Sequence, residues 1–457
     1  MDAATTDPLP PIWRRLSVRH LLVLTPWIGV VVGAARPIRD NSFLWHIRAG
    51  DLQLAAGDVI TNDPFSFTMA EEPWRTQSWL ADLLYGSLER GTGGLGWVPW
   101  LLILCGGFVL ALVGFAAFRR VSDPLPVALS LVALTWLGLP NLVPRPVIFS
   151  FVLLALLMVV LEAEAEAGWS VPLILWVWAG LHGSFVLGLG LLLLDALRRR
   201  MAWRRAVGRI GLSLAAVSLT AHGLGVWSML SSFLTNRDAL SFISEWSAPD
   251  LLSIAVAPYV LLIVAIMVAA AKGRIEAREL WVVVPFLVFG LTSARAIMPA
   301  AIVLAPFAVS VWRPGTVAQP VASGPARVNL ILAAGLVAVP FIALAGFDGI
   351  DEGRFPVEAA GYLDTDRVWH DDATGGYLIY LDQLPVFVDD RAELFGAEFF
   401  REFVDTRRGT PVWQVAFDRY DIEQALVATD AGLAVVLAAE GWAVDFADDR
   451  WTVFSRS

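Results

Sequence analysis

Residues able to do chemistry gather just after the first apolar run. The segment RDNSFLWHIRAGD brings Asp40, His46, Arg48 and Asp51 close together along the chain, with Asp40–His46 and Arg48–Asp51 near helical spacing. A carboxylate, an imidazole and a guanidinium in that arrangement suit proton transfer and anion binding. Further on, NDPFSFT places Asp63 before Pro64, an Asx-type turn. Arg145 in VPRPVIF, His182 in GLHGSF, Glu245 in FISEWSAPD and Arg295 in TSARAIMP each stand beside an apolar run. Ionisable groups at membrane depth are costly and are functional candidates by default. Several Arg at the level of several carboxylates would form a polar cavity where guanidinium groups grip a phosphate bidentately. The plainer roles are a helix cap for Asp40, a turn for Asp63, an interfacial anchor for Trp45 and snorkelling for a lone Arg.

The elements that must position these groups are mostly transmembrane. Of 457 residues 57% are hydrophobic and 17% charged, and mean hydropathy is +0.64. A soluble domain carries about 25% charge. Apolar runs predict about eleven crossings: 20–36, 97–118, 124–141, 147–163, 170–182, 184–197, 210–233, 252–271, 279–293, 297–312 and 328–346. The short pair 170–182 and 184–197 reads as a broken helix meeting near His182–Ser184. Segment 78–90 (SWLADLLYGSLER) and the stretch 41–56 read as helices in or against the membrane interface.

Charge fixes the expected orientation. The breaks carrying Arg119 and Arg120, Arg198 to Arg205, Lys272 to Arg278, and Arg313 with Arg327 fall on one side. By the positive-inside rule that side is cytoplasmic. The N-terminal 1–19 then lies inside, while loop 37–96 and the domain 347–457 lie outside. That domain holds 23 acidic residues against nine Arg, so its surface would be repelled by anionic lipid. It alternates short strands (RVWH, PVFVDD, QALVA, WAVDFAD, WTVFSR) with helices over 374–383, 397–407, 411–420 and 431–439, a small α/β or α+β domain. The stretch 313–326 reads as a linker. The basic residues are nearly all Arg, with Lys272 the one Lys, a bias like that of GC-rich bacterial genomes.

Other chemistries leave no mark. There is no GxxxxGK[ST], no HExxH and no CxxC, and the single Cys105 allows no internal disulfide. No cofactor is expected, and a divalent cation is not indicated. DDATGGYL reads as a helix start rather than a phosphate cradle. No nucleic-acid partner is expected.

The blocks WHIRAGDLQLAAGDVITNDPFSFTMAEEPWRTQSWLADLL, VPRPVIFSF, LHGSFVLG, ISEWSAPD, SARAIMP, GGYLIYL and VFVDDRAELFG span most of the chain. In this order they resemble bacterial multi-spanning membrane proteins allied to the GT-C glycosyltransferases, the protein mannosyltransferase and aminoarabinose transferase type. The resemblance implies transfer of a sugar from a polyprenyl-phosphate carrier to a glycan, lipid or protein acceptor at the outer face of the cytoplasmic membrane. It implies Asp40 as base, Arg145 and Arg295 as phosphate holders, and His46 and Glu245 as positioning groups. Arg48, Asp51, Asp63 and His182 complete the candidate substrate site. Ser42 stands where that group often has a second acidic residue, and Ser78 where Glu often precedes Trp-Leu. Those departures favour a catalytically silent scaffold of the same fold. A lipid-carrier flippase is the third reading, and the inverted repeats that would support it are not seen.

Overall fold

The computed structural model describes residues 18–163, 168–228, 247–312, 326–382 and 384–456. The chain enters through α1 (Val18–Leu24) and α2 (Pro26–Ala34), a run interrupted where Pro26 opens a new helix. Next come α3 (Asn41–Ala56) and α4 (Trp79–Thr92), followed by the apolar helices α5 (Val98–Phe118), α6 (Pro124–Gly138), α7 (Val147–Ala163), α8 (Ser170–Leu181) and α9 (Phe185–Arg198). After α10 (Trp203–Val217) the described chain resumes with α11 (Ala257–Ala271), α12 (Leu280–Gly290), α13 (Ile297–Ala308) and α14 (Ala326–Ala343).

Three of these helical stretches are long and apolar enough to cross a membrane: Leu95–Phe118, Pro124–Asn141 and Ala294–Val311. At 1.5 Å per residue, the 24 residues of the first give about 36 Å, enough for a hydrocarbon core of about 30 Å. Six more apolar helical stretches cover 10–17 of the described residues each. The expected eleven full-length crossings are therefore supported only in part. The extended backbone at His182 divides the apolar stretch 170–197 into the short helices α8 and α9. The expected crossing 210–233 is also displaced. Its helix starts at Trp203 and stops at Val217, and the Trp227 indole then donates back to Ser218 Oγ at 2.8 Å. Residues 229–246, with Glu245, and 313–325, with most of the expected linker, lie outside the described residues.

Burial separates the roles of the long helices. The Ala294–Val311 window is 83% buried, against 44% for each of the other two, so α13 is the axis around which the bundle packs. On α5, Leu104, Phe108 and Phe115 face outward, and on α6 Leu125, Leu129, Val132 and Trp136 do so at helical spacing. A helix in water would turn polar residues to that side. Outward apolar stripes of this kind need an apolar surrounding.

The first turns of α3 are packed within protein on all sides. Ser42 through Ile47 are all buried, and a hydrophobic core runs unbroken from the bundle through α3 into Phe355, Tyr377 and Val386 of the C-terminal region. Helices α3 and α4 touch backbone to backbone. A Cβ on Gly86 would sit 2.6 Å from the carbonyl carbon of Gly50 and 2.7 Å from the Asp51 nitrogen. Gly86→Ala should therefore push α4 off α3 and cost about 1–3 kcal/mol. Thermal unfolding should register this as a lowered midpoint; an unchanged midpoint would mean that the contact yields freely.

The C-terminal region is a four-stranded sheet in the order β1-β2-β4-β3: β1 (Val368–His370), β2 (Gln424–Ala428), β3 (Ala443–Ala447) and β4 (Trp451–Ser455). β1 and β2 are parallel, and the other pairs are antiparallel. Helices α15 (Asp372–Leu381), α16 (Ala392–Arg407), α17 (Val412–Arg419) and α18 (Gly432–Ala439) complete it. The expected strand PVFVDD does not form. Val386 makes a single bridge to Ser66, accepting from Phe67 N–H and donating to Phe65 C=O, both at 3.0 Å. The following Asp389 and Asp390 turn their carboxylates inward instead of continuing a ladder.

Candidate functional site

The site grows from the start of α3. Asp40 has extended backbone and caps the helix, with Oδ1 accepting the Phe43 N–H at 3.0 Å. Its other oxygen accepts from Arg145 Nε at 2.6 Å. Arg145 lies between Pro144 and Pro146 just ahead of α7, and Tyr85 of α4 holds that turn by donating to Pro144 C=O at 2.8 Å. Local capping and a long-range ion pair thus occupy one carboxylate together.

A second carboxylate arrives from the far end of the chain. Asp390 accepts from the Trp45 indole at 3.0 Å and from the Ser42 hydroxyl. It lies within electrostatic reach of Arg145 and Asp40. Removal from bulk water pushes Asp390 up to about 6; Arg145 opposes the shift, and Asp389 and Asp40 add to it. Asp390 escaped the sequence reading because 348 positions separate it from Ser42. The signal was present in VFVDDRAELFG, whose adjacent Asp and Arg residues are unusual in an apolar setting.

The raised acid has a stability consequence. Folded Asp390 binds its proton more tightly than the unfolded residue does, so stability falls as pH rises from about 4 to 6. Above that range the folded state carries the full penalty. Asp390→Asn keeps an oxygen for Trp45 and an amide for Ser42 without the charge. It should stabilise the protein above pH 6 by on the order of 2 kcal/mol, with the gain vanishing below pH 4. Denaturation of both forms across pH 3–8 measures this, and a gain constant with pH would contradict it.

One turn further along α3, the His46 ring stacks on Trp45 at 3.6 Å between centroids and meets Asp82 Oδ1 at 2.5 Å. Thr76 Oγ1 donates to the other Asp82 oxygen at 2.6 Å, and His222 Nε2 contacts Thr76 C=O at 2.7 Å. Asp82 is fully buried on α4. It was missed because an apolar segment hides it and its polar partners come from other elements. His182 sits in the break between α8 and α9, with Nδ1 2.9 Å from Ser184 Oγ, which in turn reaches Ser150 Oγ at 2.8 Å. Arg295 and His46 both lie close enough to act electrostatically on His182. Arg145 is thus placed at Asp40, while Arg295 is placed only within electrostatic reach of His182.

Three candidates stand apart from this cluster. Arg48 pairs with Asp51 at 2.7 Å and Asp382 at 2.5 Å, and Asp51 also takes Arg90 at 2.5 Å. That is a partly exposed ionic strap tying α3 to α4 and α15. Asp63 is 3% exposed; it closes its expected turn onto Phe65 and Ser66 and accepts from Arg391 at 2.7 Å. Its contacts are internal, so its role here is architectural. Arg391 also grips Asp389 with two parallel bonds of 2.8 and 2.6 Å and lies over the Trp74 ring at 4.4 Å. DDATGGYL does start a helix: Asp371 caps α15, and Gly376 lies against the Asn41 backbone.

Among the described residues, no group of three or more His, Cys, Asp or Glu is placed to hold a metal ion. No protein-family model matches the chain, and no curated protein sequence matches it significantly.

Proposed function

We propose that the chain is a membrane glycosyltransferase that moves a sugar from a polyprenyl-phosphate carrier to a hydroxyl acceptor. The observation that carries this reading is the Asp40–Arg145 ion pair at the start of α3, with a second carboxylate, Asp390, within electrostatic reach of both. In this reading the chain crosses the cytoplasmic membrane about eleven times, the shorter helices being accommodated by local thinning of the bilayer. The N-terminus lies inside, and α3, α4 and the C-terminal domain lie outside.

The carrier phosphate would take Arg145 in place of Asp40, with Arg295 as its second holder. That exchange frees Asp40 Oδ2. The acceptor hydroxyl attacks the anomeric carbon, its proton passes to a carboxylate, and the sugar–phosphate C–O bond breaks with both electrons leaving on the phosphate. Asp390 supplies the second carboxylate that Ser42 does not, and its value of about 6 is well matched to proton transfer near neutrality. Aromatic walls from Phe43 and Trp45 would keep water out.

A catalytically silent scaffold is the competing reading. It is favoured by the occupation of both Asp40 oxygens. Mass spectrometry of co-purified lipid tests the proposal. A polyprenyl-phosphate species should accompany the wild-type protein and be depleted in Arg145→Gln. Finding no such lipid, or retention of it unchanged by the substitution, would remove the support for Arg145 as its holder.

A further inference from the structure

The turn between α9 and α10 gathers charge that the fold does not pair. From Asp195 to Arg209 the chain carries six Arg and one acidic residue. That residue, Asp195, is buried and already held by Arg198 at 2.5 Å and Arg199 at 3.0 Å. Arg200, Arg204 and Arg205 are exposed, and none of them forms an ion pair with a described residue. Arg200 closes α9 at φ +49°, a left-handed position that usually goes to glycine. Its N–H donates to Leu197 C=O and the Met201 N–H to Ala196 C=O, both at 3.0 Å. Glycine would make the same turn without strain, so only the side chain gives a reason for arginine there.

The surface beside these three guanidinium groups is apolar and faces outward. On α9, Leu193 and Leu197 are 50% and 42% exposed, four residues apart. On α10, Trp203 and Val207 are 70% and 60% exposed at the same spacing. Arg209 approaches Asp195 at 4.0 Å, which sets the two helices side by side. Arg204 lies 5.6 Å from the Trp203 ring centroid. Aliphatic side chains along two adjacent helices, a Trp where they end and unpaired Arg beyond it match the layers of a bilayer: acyl chains, interface, headgroup phosphates.

We infer that this turn binds an anionic phospholipid, with Arg200, Arg204 and Arg205 on the headgroup phosphate and Leu193, Leu197 and Val207 along an acyl chain. Guanidinium groups match phosphate oxygens in geometry as well as charge. In a zwitterionic headgroup an ammonium cancels the phosphate charge, so three unpaired guanidinium groups favour a lipid of net negative charge. A soluble phosphate ester would leave the apolar surface uncovered. The 14 residues of α9 rise about 21 Å, which separates this turn from His182 at the other end of the helix. The assignment rests on the placement of the chain in a bilayer and not on sugar transfer.

The test uses the full chain in nanodiscs of phosphatidylcholine, with and without phosphatidylglycerol. Hydrogen exchange is followed across 199–207. Phosphatidylglycerol should slow exchange there several-fold, and raised salt should shrink the difference. Replacing Arg200, Arg204 and Arg205 together by Gln should weaken the protection at least about 10-fold. Glycerol phosphate added to phosphatidylcholine nanodiscs should give none. The three side chains are exposed, so the thermal midpoint of the variant should match wild type; if the variant fails to fold, the wild-type comparison of the two bilayers decides alone. Equal exchange in both bilayers, protection undiminished in the folded variant, or equal protection by glycerol phosphate overturns the proposal. Slow exchange of α5 in both bilayers would show the chain inserted, so failure at 199–207 would then count against the lipid site and not against membrane placement. Asp40→Asn should leave the protection intact, so failure of the transferase reading does not pass to the lipid site, or the reverse.

Discussion

Arg391→Met should loosen the C-terminal domain from the bundle and destabilise the protein by about 3–5 kcal/mol. Arg391 is 2% exposed and holds Asp389 and Asp63, which are 0% and 3% exposed. Methionine fills much of its volume against Trp74 and Phe65 but leaves two buried carboxylates without a counter-charge. They must then ionise unpaired, bind protons or be drawn into water. Burial alone would lower the guanidinium's pKa, but the two carboxylates more than offset it and hold the pKa above its usual value. The loss should therefore be largest near neutral pH and shrink as the carboxylates protonate in acid. Adding Asp63→Asn and Asp389→Asn to Arg391→Met should recover much of the stability. Chemical denaturation reads the cost, and limited proteolysis near 347–366 reads the release of the domain. A single variant as stable as the wild type would show that the triad contributes only geometry.

The second large effect concerns Asp40. Under the proposed function, Asp40→Asn should lower sugar transfer by a factor on the order of 10² to 10⁴. The substitution is not a silent replacement of shape. Phe43 N–H and Arg145 Nε each need an acceptor, and an asparagine has one oxygen where aspartate has two. One of the two donors will face an amide N–H₂. Arg145 is the partner better able to move, so the helix cap should survive and the guanidinium should be released. Carrier lipid should then be retained at least as well as by wild type while transfer is lost. Loss of both together points to a structural role, and surviving transfer moves the base to Asp390.

Much of this site could be read locally. The cap at Asp40, the helix over 41–56, the turn at Asp63 and the break at His182–Ser184 each depend on neighbours within a few residues. The chemistry of Asp, Pro and Gly announces them. What could not be read depends on distance. Asp390 meets Ser42 and Trp45 across almost the whole chain, and Asp82 finds His46 from another helix. The strand expected at PVFVDD failed for the same reason. Its β-branched and aromatic run was genuine, but its neighbour is the loop carrying Phe65 and Phe67 rather than a sheet strand. The packing of α3 against Phe355, Tyr377 and Val386 of the C-terminal region likewise joins residues more than 300 positions apart.

The Arg391–Asp63 pair spans 328 positions, and that has a consequence for biogenesis. At a synthesis rate of about 5–20 residues per second, Asp63 emerges roughly 15–65 s before its counter-charge exists. Throughout that interval the segment 57–78 must remain hydrated, since its carboxylate cannot be buried alone. The ribosome thus delivers the helices first and the group that locks them to the acidic domain last. A nascent chain released before residue 390 would hold Asp40 and Arg145, but it would lack both the second carboxylate and the fastening that holds it against α3.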